Sequence, residues 1–296
     1  MVMIDLPFSR EPCPLSVVIA TLGGDTLRET IETINRGSVV PEEILVCIPT
    51  NESCKVKDFA YKNVKIIVTA CRGQVAQRVT GFQRVSHAIV MQLDDDILLD
   101  EHCIEYLLDT LTKSDDKVAV APALMDMETG ESVYKKPGEK PFFQKIYYWL
   151  INGTDGYQPG KVDKSGAGIG IDPAREDKEQ FDVEWLAGGC AIHHRENLVL
   201  ENYYPFTGKA YFEDVVHSYH LRQKGVNLKV DSRARCWLET VPTAKFGHSE
   251  FVKFLMTDYR DRKYAVRLYS RSLTRMHFYY LMRYLSYIYK KMAGSA

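Results

Sequence analysis

Residues 15–20, with the sequence Leu-Ser-Val-Val-Ile-Ala, form a nearly continuous apolar run close to the start of the chain. Such a run is typical of a strand that is buried on both faces, as in parallel sheets covered by helices on each side. Similar short runs recur at 43–48, 64–68, 88–93 and 118–123, and helical patterns separate most of them. This alternation predicts an α/β domain with a mostly parallel sheet flanked by helices.

The rest of the chain divides into a looser middle and a basic, aromatic end. Regular patterns fade from 126 to 182 and return with an apolar strand at 183–192 and a helix near 214–224. We predict that residues 1–250 form the main domain and that residues 251–296 form a helical tail.

Composition narrows the class of protein and its partners. With 45% hydrophobic and 26% charged residues and a formal net charge of -1, the chain resembles an ordinary globular protein, and no nucleic-acid partner is expected. Its seven cysteines are scattered without a C-x-x-C pair, which argues against a disulfide framework or a zinc site. Residues 1–14 lack the apolar core of a signal peptide, and no apolar run approaches the roughly 20 residues that span a bilayer. These features predict a cytoplasmic protein.

Three adjacent carboxylates, Asp94, Asp95 and Asp96, follow the fourth predicted strand. Their proximity is unfavourable because like charges raise one another's pKa. A hard divalent cation would offset this cost, since Mg²⁺ and Mn²⁺ prefer carboxylate and phosphate oxygens. In extended backbone, Asp94 and Asp96 point to the same side, at the edge where open α/β sheets bind ligands. The cluster therefore predicts a metal site; an acidic loop start is the alternative.

Four segments, in this order and at these separations, carry a resemblance to a known family. They are strand 15–20, the segment Gly-Gln-Val-Ala-Gln-Arg-Val-Thr-Gly at 73–81, Leu-Asp-Asp-Asp at 93–96 and Phe-Glu-Asp at 212–214. They resemble, respectively, the opening strand, the glycine-arginine-glycine helix, the D-x-D motif and the E-D motif of family 2 glycosyltransferases. That family has the Rossmann-like GT-A fold. The chain is similar in particular to bacterial surface-polysaccharide glycosyltransferases.

The resemblance implies a metal-dependent, inverting transfer of a sugar from a nucleotide diphosphate to an acceptor hydroxyl. Asp214 would be the catalytic base, with Glu213 beside it in the same motif. Asp94 and Asp96 would hold Mn²⁺ or Mg²⁺, and Asp94 could instead contact the ribose of the donor. Arg78 would support the nucleotide pocket. On the residues alone, Glu213 and Asp214 also suit an acidic first turn of a helix.

Further donor contacts are expected from residues near these motifs. Asp95 lies between the two metal ligands and could face the donor. Thr21 and Gly23 follow the first strand, where the glycine could let backbone approach the nucleotide, or simply form a strand-to-helix turn. Gly188 and Gly189 could admit the substrate closely, and a tight strand bend is the alternative.

The chain also departs from the family pattern. Its second strand runs into Ile48, Pro49 and Thr50, without the acid that reads the base in many members. A UDP-sugar is therefore favoured and a dTDP-sugar stays possible. The Q-x-x-R-W signature of processive synthases is absent, which predicts addition of a single sugar. His248 could supply a further metal ligand, as histidines past the base do in some GT-A enzymes, or could be an ordinary surface residue.

The tail combines basic and aromatic residues. From 253 onward, Arg260, Arg262, Lys263, Arg267, Arg271, Arg275, Arg283, Lys290 and Lys291 are opposed only by Asp258 and Asp261. Basic, aromatic helices suit the surface of an anionic membrane. Because lipid-linked acceptors are common in this family, we predict a glycan or lipid-linked acceptor and peripheral contact with the inner face of the cell membrane. A helix packed on the domain is the alternative.

Three other function classes stay open. One is a nucleotidyltransferase that makes nucleotide sugars, although the Gly-rich N-terminal signature of that class is not apparent at 21–28. A sugar phosphatase of the haloacid dehalogenase type also places Asp-x-Asp after a strand, although there the motif usually opens the fold. A non-catalytic nucleotide-sugar-binding protein could use the same fold without needing Asp214.

Overall fold

The computed structural model of the protein describes residues 12–135, 142–154, 158–206, 210–240 and 246–292. The strands in these ranges are β1 (Cys13–Ala20), β2 (Pro41–Pro49), β3 (Val64–Thr69), β4 (Ile89–Asp94), β5 (Leu98–Leu99), β6 (Val118–Asp126), β7 (Gln180–Val183), β8 (Cys190–His194) and β9 (Asn227–Leu238). The α-helices are α1 (Leu27–Arg36), α2 (Gln74–Phe82), α3 (Cys103–Thr112), α4 (Phe142–Asn152), α5 (Glu213–Gln223), α6 (His248–Leu268) and α7 (Leu273–Met292).

These strands form one sheet in the order β3-β2-β1-β4-β8-β6-β9-β5, with β7 paired to β9. The first four strands of that order run parallel, whereas β8 is antiparallel to both β4 and β6. The carboxyl ends of β1, β2, β3 and β4 therefore meet at one edge, where open α/β sheets bind ligands. The predicted α/β class, with helices flanking a parallel sheet and a helical C-terminal extension, is confirmed, and the antiparallel strands add to it.

The apolar side chains of β1 and α1 pack against one another and join the helix to the sheet. Val17 and Ile19 of β1 share a buried cluster with Leu27 and Ile31 of α1, and all four side chains are fully buried. Val18 lies in a separate cluster that includes α2. Each fully buried aliphatic side chain contributes about 1.5–3 kcal/mol, so β1 is held from both faces.

The prediction of one continuous strand at 183–192 is wrong for the residues in the middle of that range. β7 ends at Val183 and β8 begins at Cys190. The interruption follows from topology, because β7 pairs with β9 whereas β8 lies between β4 and β6. Residues 184–189 therefore carry the chain from one part of the sheet to another, and they include Gly188 and Gly189.

Helices α6 and α7 pack on each other and on the main domain. Val266 and Met276 are fully buried in a shared cluster, and the Tyr269 hydroxyl donates to the carbonyl oxygen of Val215 at 3.0 Å. The division into two domains at residue 250 stays a prediction; that position falls in the first turn of α6. Within the described ranges, no helix is long and apolar enough to cross a membrane.

Gly81 is needed where α2 lies against β1 and β2. A Cβ at this position would lie 2.4 Å from Cγ1 of Val18 and 2.7 Å from Sγ of Cys47. We expect Gly81→Ala to lower the free energy of unfolding by roughly 1–3 kcal/mol through overpacking, despite the higher helix propensity of alanine. Urea unfolding of the purified chain measures this change.

The double variant Val18→Ala/Gly81→Ala is the control for that explanation. It removes the nearest clashing atom, so its loss of stability should be smaller than the sum of the two single losses. Strictly additive losses would show that the clash at Val18 is not the cause.

Candidate active site

Several chain segments meet at the carboxyl edge of the parallel strands. Ala20 at the end of β1 pairs with Asp94 at the end of β4. The Asp94 N–H donates to the carbonyl oxygen of Gly189 at 2.8 Å, and a Cβ on Gly188 would lie 2.8 Å from Oε1 of Glu213. The structure thus brings together the predicted residues that follow β1 and β4, precede β8 and begin α5.

Arg78 of α2 is a buried cation at the centre of this edge, with 1% of its surface exposed. Its Nη1 donates to Oε1 of Glu213 at 2.7 Å, and its Nη2 donates to Oδ1 of Asp94 at 2.9 Å. Burial alone would lower the pKa of Arg78, but the charges of Glu213 and Asp94 more than offset that effect and raise it. The guanidinium therefore stays charged and binds one carboxylate on each side.

Asp94 is engaged on one oxygen only. Its Oδ1 accepts from Arg78 and from Nε2 of Gln74, the latter at 2.8 Å, while no side chain or backbone group of the described ranges donates to Oδ2. Burial raises the pKa of Asp94 to about 6; Arg78 opposes this shift, and the charges of Glu213 and Asp96 add to it. A cation at Oδ2 would therefore be favourable.

Asp95 is bound to the loop that follows β1. Its Oδ2 accepts a short hydrogen bond from the Thr21 hydroxyl, and its carbonyl oxygen accepts from the Thr30 hydroxyl at 3.1 Å. The Gly23 N–H donates to Oγ1 of Thr21 at 2.8 Å, and Gly23 has a φ of 73°, which favours glycine. The predicted donor residues Thr21, Gly23 and Asp95 are therefore linked in one turn beside Asp94.

The other predicted metal ligands differ in their surroundings. Asp96 is exposed just after β4. His248 is exposed at the start of α6, where its Nε2 lies 3.3 Å from the Tyr284 hydroxyl. Among the described residues, no group of three or more His, Cys, Asp or Glu side chains could hold a metal, and the role of His248 stays a prediction.

The available donor set still fits a magnesium or manganese ion. Oδ2 of Asp94 and the carboxylate of Asp96 are hard oxygen ligands of the type these ions prefer. Mg²⁺ is usually bound through one or two carboxylates, with substrate phosphates and water completing its shell. Two such carboxylates, with phosphate oxygens and water completing the shell, would therefore be enough to hold the ion.

Glu213 is engaged on both oxygens. Its Oε1 accepts from Arg78, and its Oε2 accepts from the Tyr203 hydroxyl at 2.7 Å. The Tyr203 ring stacks on His217, with 5.4 Å between ring centroids. Burial lowers the pKa of His217 to about 3, with a further contribution from the Arg78 charge, so this ring is neutral. Glu213 is therefore fixed in position from two sides.

Asp214 lies beside Glu213 and is held by backbone donors. Its Oδ1 accepts from the Val215 N–H at 2.8 Å, and the Gly188 N–H also donates to the carboxylate. Burial, followed by the charge of Glu213, raises the pKa of Asp214 to about 7, and the two backbone donors only partly oppose this rise. A carboxyl group with this pKa can accept a proton near neutral pH, as a general base must.

Three site residues were not predicted from the sequence. Gln74 lies one helical turn before Arg78 and shares Asp94 with it, so the i, i+4 spacing could have indicated it. Nothing in the sequence around Tyr203 indicates that it belongs to the site. Tyr134 contacts Trp185 edge to face at 5.6 Å and is close enough to Asp214 for its charge to raise the tyrosine pKa, after burial.

Comparisons with known proteins bear on the family and the fold of this chain. Residues 16–162 match the model of glycosyl transferase family 2, a range that includes Arg78 and the three aspartates after β4. A crystal structure of GalNAc-T7 with UDP, GalNAc and Mn²⁺ is similar at a TM-score of 0.55 and 18% identity. The match covers 91% of this chain and 54% of that one, so the chain spans about half the length of GalNAc-T7. No curated protein matches the sequence.

Arg78 should be essential for stability as well as for the site. Arg78→Met leaves Glu213 and Asp94 without their buried counter-charge, and we expect the free energy of unfolding to fall by roughly 3–5 kcal/mol. Urea unfolding with Arg36→Met as the control tests this, because Arg36 pairs with Glu32 at 2.8 Å on the surface. The control should lose no more than about 1 kcal/mol. Equal losses would refute the assigned importance of the buried pair.

The raised pKa of Asp214 makes stability depend on pH. Between about pH 4 and 7 the folded chain retains a proton on Asp214 that the unfolded chain has lost, so the contribution of Asp214 to stability should fall as pH rises. The Asp214→Asn variant lacks this titrating group and therefore does not lose stability in this way. Its stability relative to wild type should therefore increase from pH 4 to pH 8 by up to a few kcal/mol, at about 1.4 kcal/mol per pKa unit.

Urea unfolding in EDTA across this pH range measures the difference. Asp115→Asn, on the exposed loop after α3, removes the same charge from the surface and is the matched control. A stability difference for Asp214→Asn that does not change with pH would contradict the raised pKa.

Proposed function

The chain belongs to glycosyl transferase family 2 through residues 16–162, and we propose that it transfers a sugar from a nucleotide diphosphate to an acceptor hydroxyl. The observation that carries this proposal is the meeting of two kinds of carboxylate at one sheet edge. Asp94 and Asp96 suit a cation beside a diphosphate, while Asp214 suits proton transfer. Arg78 and Glu213 connect the two groups.

The leaving group determines what Asp94 and Asp96 must do. These two carboxylates would hold Mn²⁺ or Mg²⁺, which supplies positive charge to offset the negative charge that develops on the departing diphosphate. Arg78 keeps Asp94 ionised and fixed in this position. Its positive charge is already shared between Asp94 and Glu213, so it acts by positioning rather than by direct contact with the donor.

Asp214 is the proposed base. The acceptor hydroxyl gives its proton to the Asp214 carboxylate while its oxygen forms a bond to the anomeric carbon of the sugar. The bond between that carbon and the diphosphate oxygen breaks, and its electron pair leaves with the nucleoside diphosphate. A single displacement of this kind inverts the anomeric configuration. Because both oxygens of Glu213 are engaged, we propose that Glu213 positions Arg78 and is not itself the base.

The donor would lie along the loop after β1, against Thr21, Gly23 and Asp95. A UDP-sugar is favoured and a dTDP-sugar is the second choice, because β2 ends without an acid to select the base. The similar crystal structure with UDP and Mn²⁺ supports this choice. Gly188 and Gly189 lie against Asp214 and Asp94, where the transferred sugar would pass.

The acceptor is proposed to be a glycan or lipid-linked hydroxyl, extended by one sugar at a time in the assembly of a bacterial surface glycan. The enzyme would then work in the cytoplasm, peripherally on the inner face of the membrane. A phosphatase reaction has less support, since the Asp-x-Asp motif of such phosphatases usually opens the fold, whereas β1, β2 and β3 precede Asp94 here.

Two variants separate donor binding from catalysis. Asp214→Asn should lower the rate of transfer by roughly 10²–10⁴-fold, the usual contribution of a general base, while donor affinity changes little. Asp96→Asn should abolish the Mn²⁺-dependent part of nucleotide binding. Calorimetry with UDP, dTDP, GDP and CMP, each with and without Mn²⁺, identifies the donor class, and product formation with the matching sugar nucleotides measures transfer.

Wild-type transfer should also rise with pH through about 7, because Asp214 must lose its proton before it can accept one. Asp115→Asn is again the control and should behave as wild type. Full transfer by Asp214→Asn would show that Asp214 is not the base. If the wild type and its variants bind the nucleotide but none of them transfers a sugar, the chain would instead be a nucleotide-sugar-binding protein. Failure of every nucleotide to bind would refute the glycosyltransferase proposal.

A further inference from the structure

Helices α4 and α7 leave apolar side chains uncovered. On α4, Phe142, Phe143 and Trp149 are 71%, 82% and 53% exposed, and on α7, Leu281 and Leu285 are 55% and 51% exposed. We call these five residues the α4–α7 face. Contiguous exposed apolar groups of this size mark interaction surfaces more often than isolated ones do.

The two helices are neighbours, so their exposed residues belong to one surface. The rings of Tyr147 on α4 and Phe278 on α7 lie 6.4 Å apart. Nη1 of Arg275 donates to the carbonyl oxygens of Trp149 and Leu150 at 2.6 and 2.7 Å. Leu281 and Leu285 follow Phe278 by three and seven positions, and such residues share one side of a helix. The apolar stripe of α7 therefore continues from its contact with α4.

The charged residues of α4 and α7 have one sign. Neither α4 nor α7 contains an Asp or a Glu, and Lys145, Lys290 and Lys291 are exposed on them. The arginines are used internally, since Arg275 binds the end of α4 and Arg283 donates to Asp258 at 3.2 Å. The free positive charge of this surface thus comes from lysines.

We propose that the α4–α7 face is a peripheral binding surface for an anionic lipid bilayer. Aromatic and leucine side chains would enter the interface between headgroups and acyl chains, and the lysines would contact anionic headgroups. A second copy of the chain fits less well, because a symmetric contact would bring lysines against lysines. This proposal does not depend on the glycosyltransferase activity.

Co-sedimentation of the full chain with vesicles tests the proposal. Wild type should bind vesicles of phosphatidylcholine and phosphatidylglycerol at a 7:3 ratio more strongly than pure phosphatidylcholine. Leu281→Gln/Leu285→Gln should bind both kinds at least roughly tenfold more weakly, because two apolar side chains lose their burial. Leu200→Gln, at a site that is 48% exposed outside these helices, should bind as wild type.

A second variant isolates the electrostatic contribution to vesicle binding. Lys290→Gln/Lys291→Gln should lose roughly fivefold per lysine on anionic vesicles and nothing on neutral ones. Because both residues are exposed at the end of α7, this variant keeps the test decisive even if the leucine variant folds poorly, which melting temperatures would show.

Brominated lipids report direct insertion. They should quench the fluorescence of wild type, and Trp149→Phe should lose most of that quenching, since Trp185 is only 5% exposed and the partly buried Trp237 lies on β9, outside these helices. The proposal is overturned if wild type binds neither vesicle, or if it binds both vesicles no better than the folded leucine variant does. Binding without quenching of Trp149 would likewise exclude insertion of this face.

Discussion

The ion pairs of Arg78 with Asp94 and Glu213 are the interaction on which the rest of the site depends. Each carboxylate lies at a buried sheet edge, where an uncompensated charge would be costly. The guanidinium offsets both charges with bonds of 2.7 and 2.9 Å. Because Arg78 lies on α2, Asp94 ends β4 and Glu213 begins α5, these bonds also fix three elements relative to one another. Arg78 therefore holds Asp94 and Glu213 in position.

Two neighbouring carboxyl groups acquire different chemistry from these surroundings. Asp94 faces the cation of Arg78, which opposes the rise in its pKa, whereas Asp214 faces the negative charge of Glu213, which adds to the effect of burial. In the proposed mechanism, Asp94 would bind a metal ion and Asp214 would accept a proton.

The C-terminal helices show that the composition of a segment does not reveal which of its residues are exposed. The tail is basic, yet Arg262 is buried against the rings of Phe212 and Tyr279, and Arg275 and Arg283 bind groups of the protein itself. Arginine suits such contacts because its planar guanidinium stacks on aromatic rings and forms several hydrogen bonds. On α7, an apolar stripe with lysines reaches the surface, and α4, which lies far from the tail in sequence, contributes to it.

The sequence by itself determined the fold class and predicted which residues meet at the candidate site. The burial of β1 follows from its own apolar residues, and the positions of Arg78, Asp94, Asp96 and Asp214 follow from motifs in a fixed order, because both signals are local. Tertiary structure alone decided that Glu213 is bound on both oxygens, that Tyr203 takes part, and that the pKa of Asp214 rises. Those properties depend on burial and on contacts between residues distant in the chain, such as the 135 positions that separate Arg78 from Glu213.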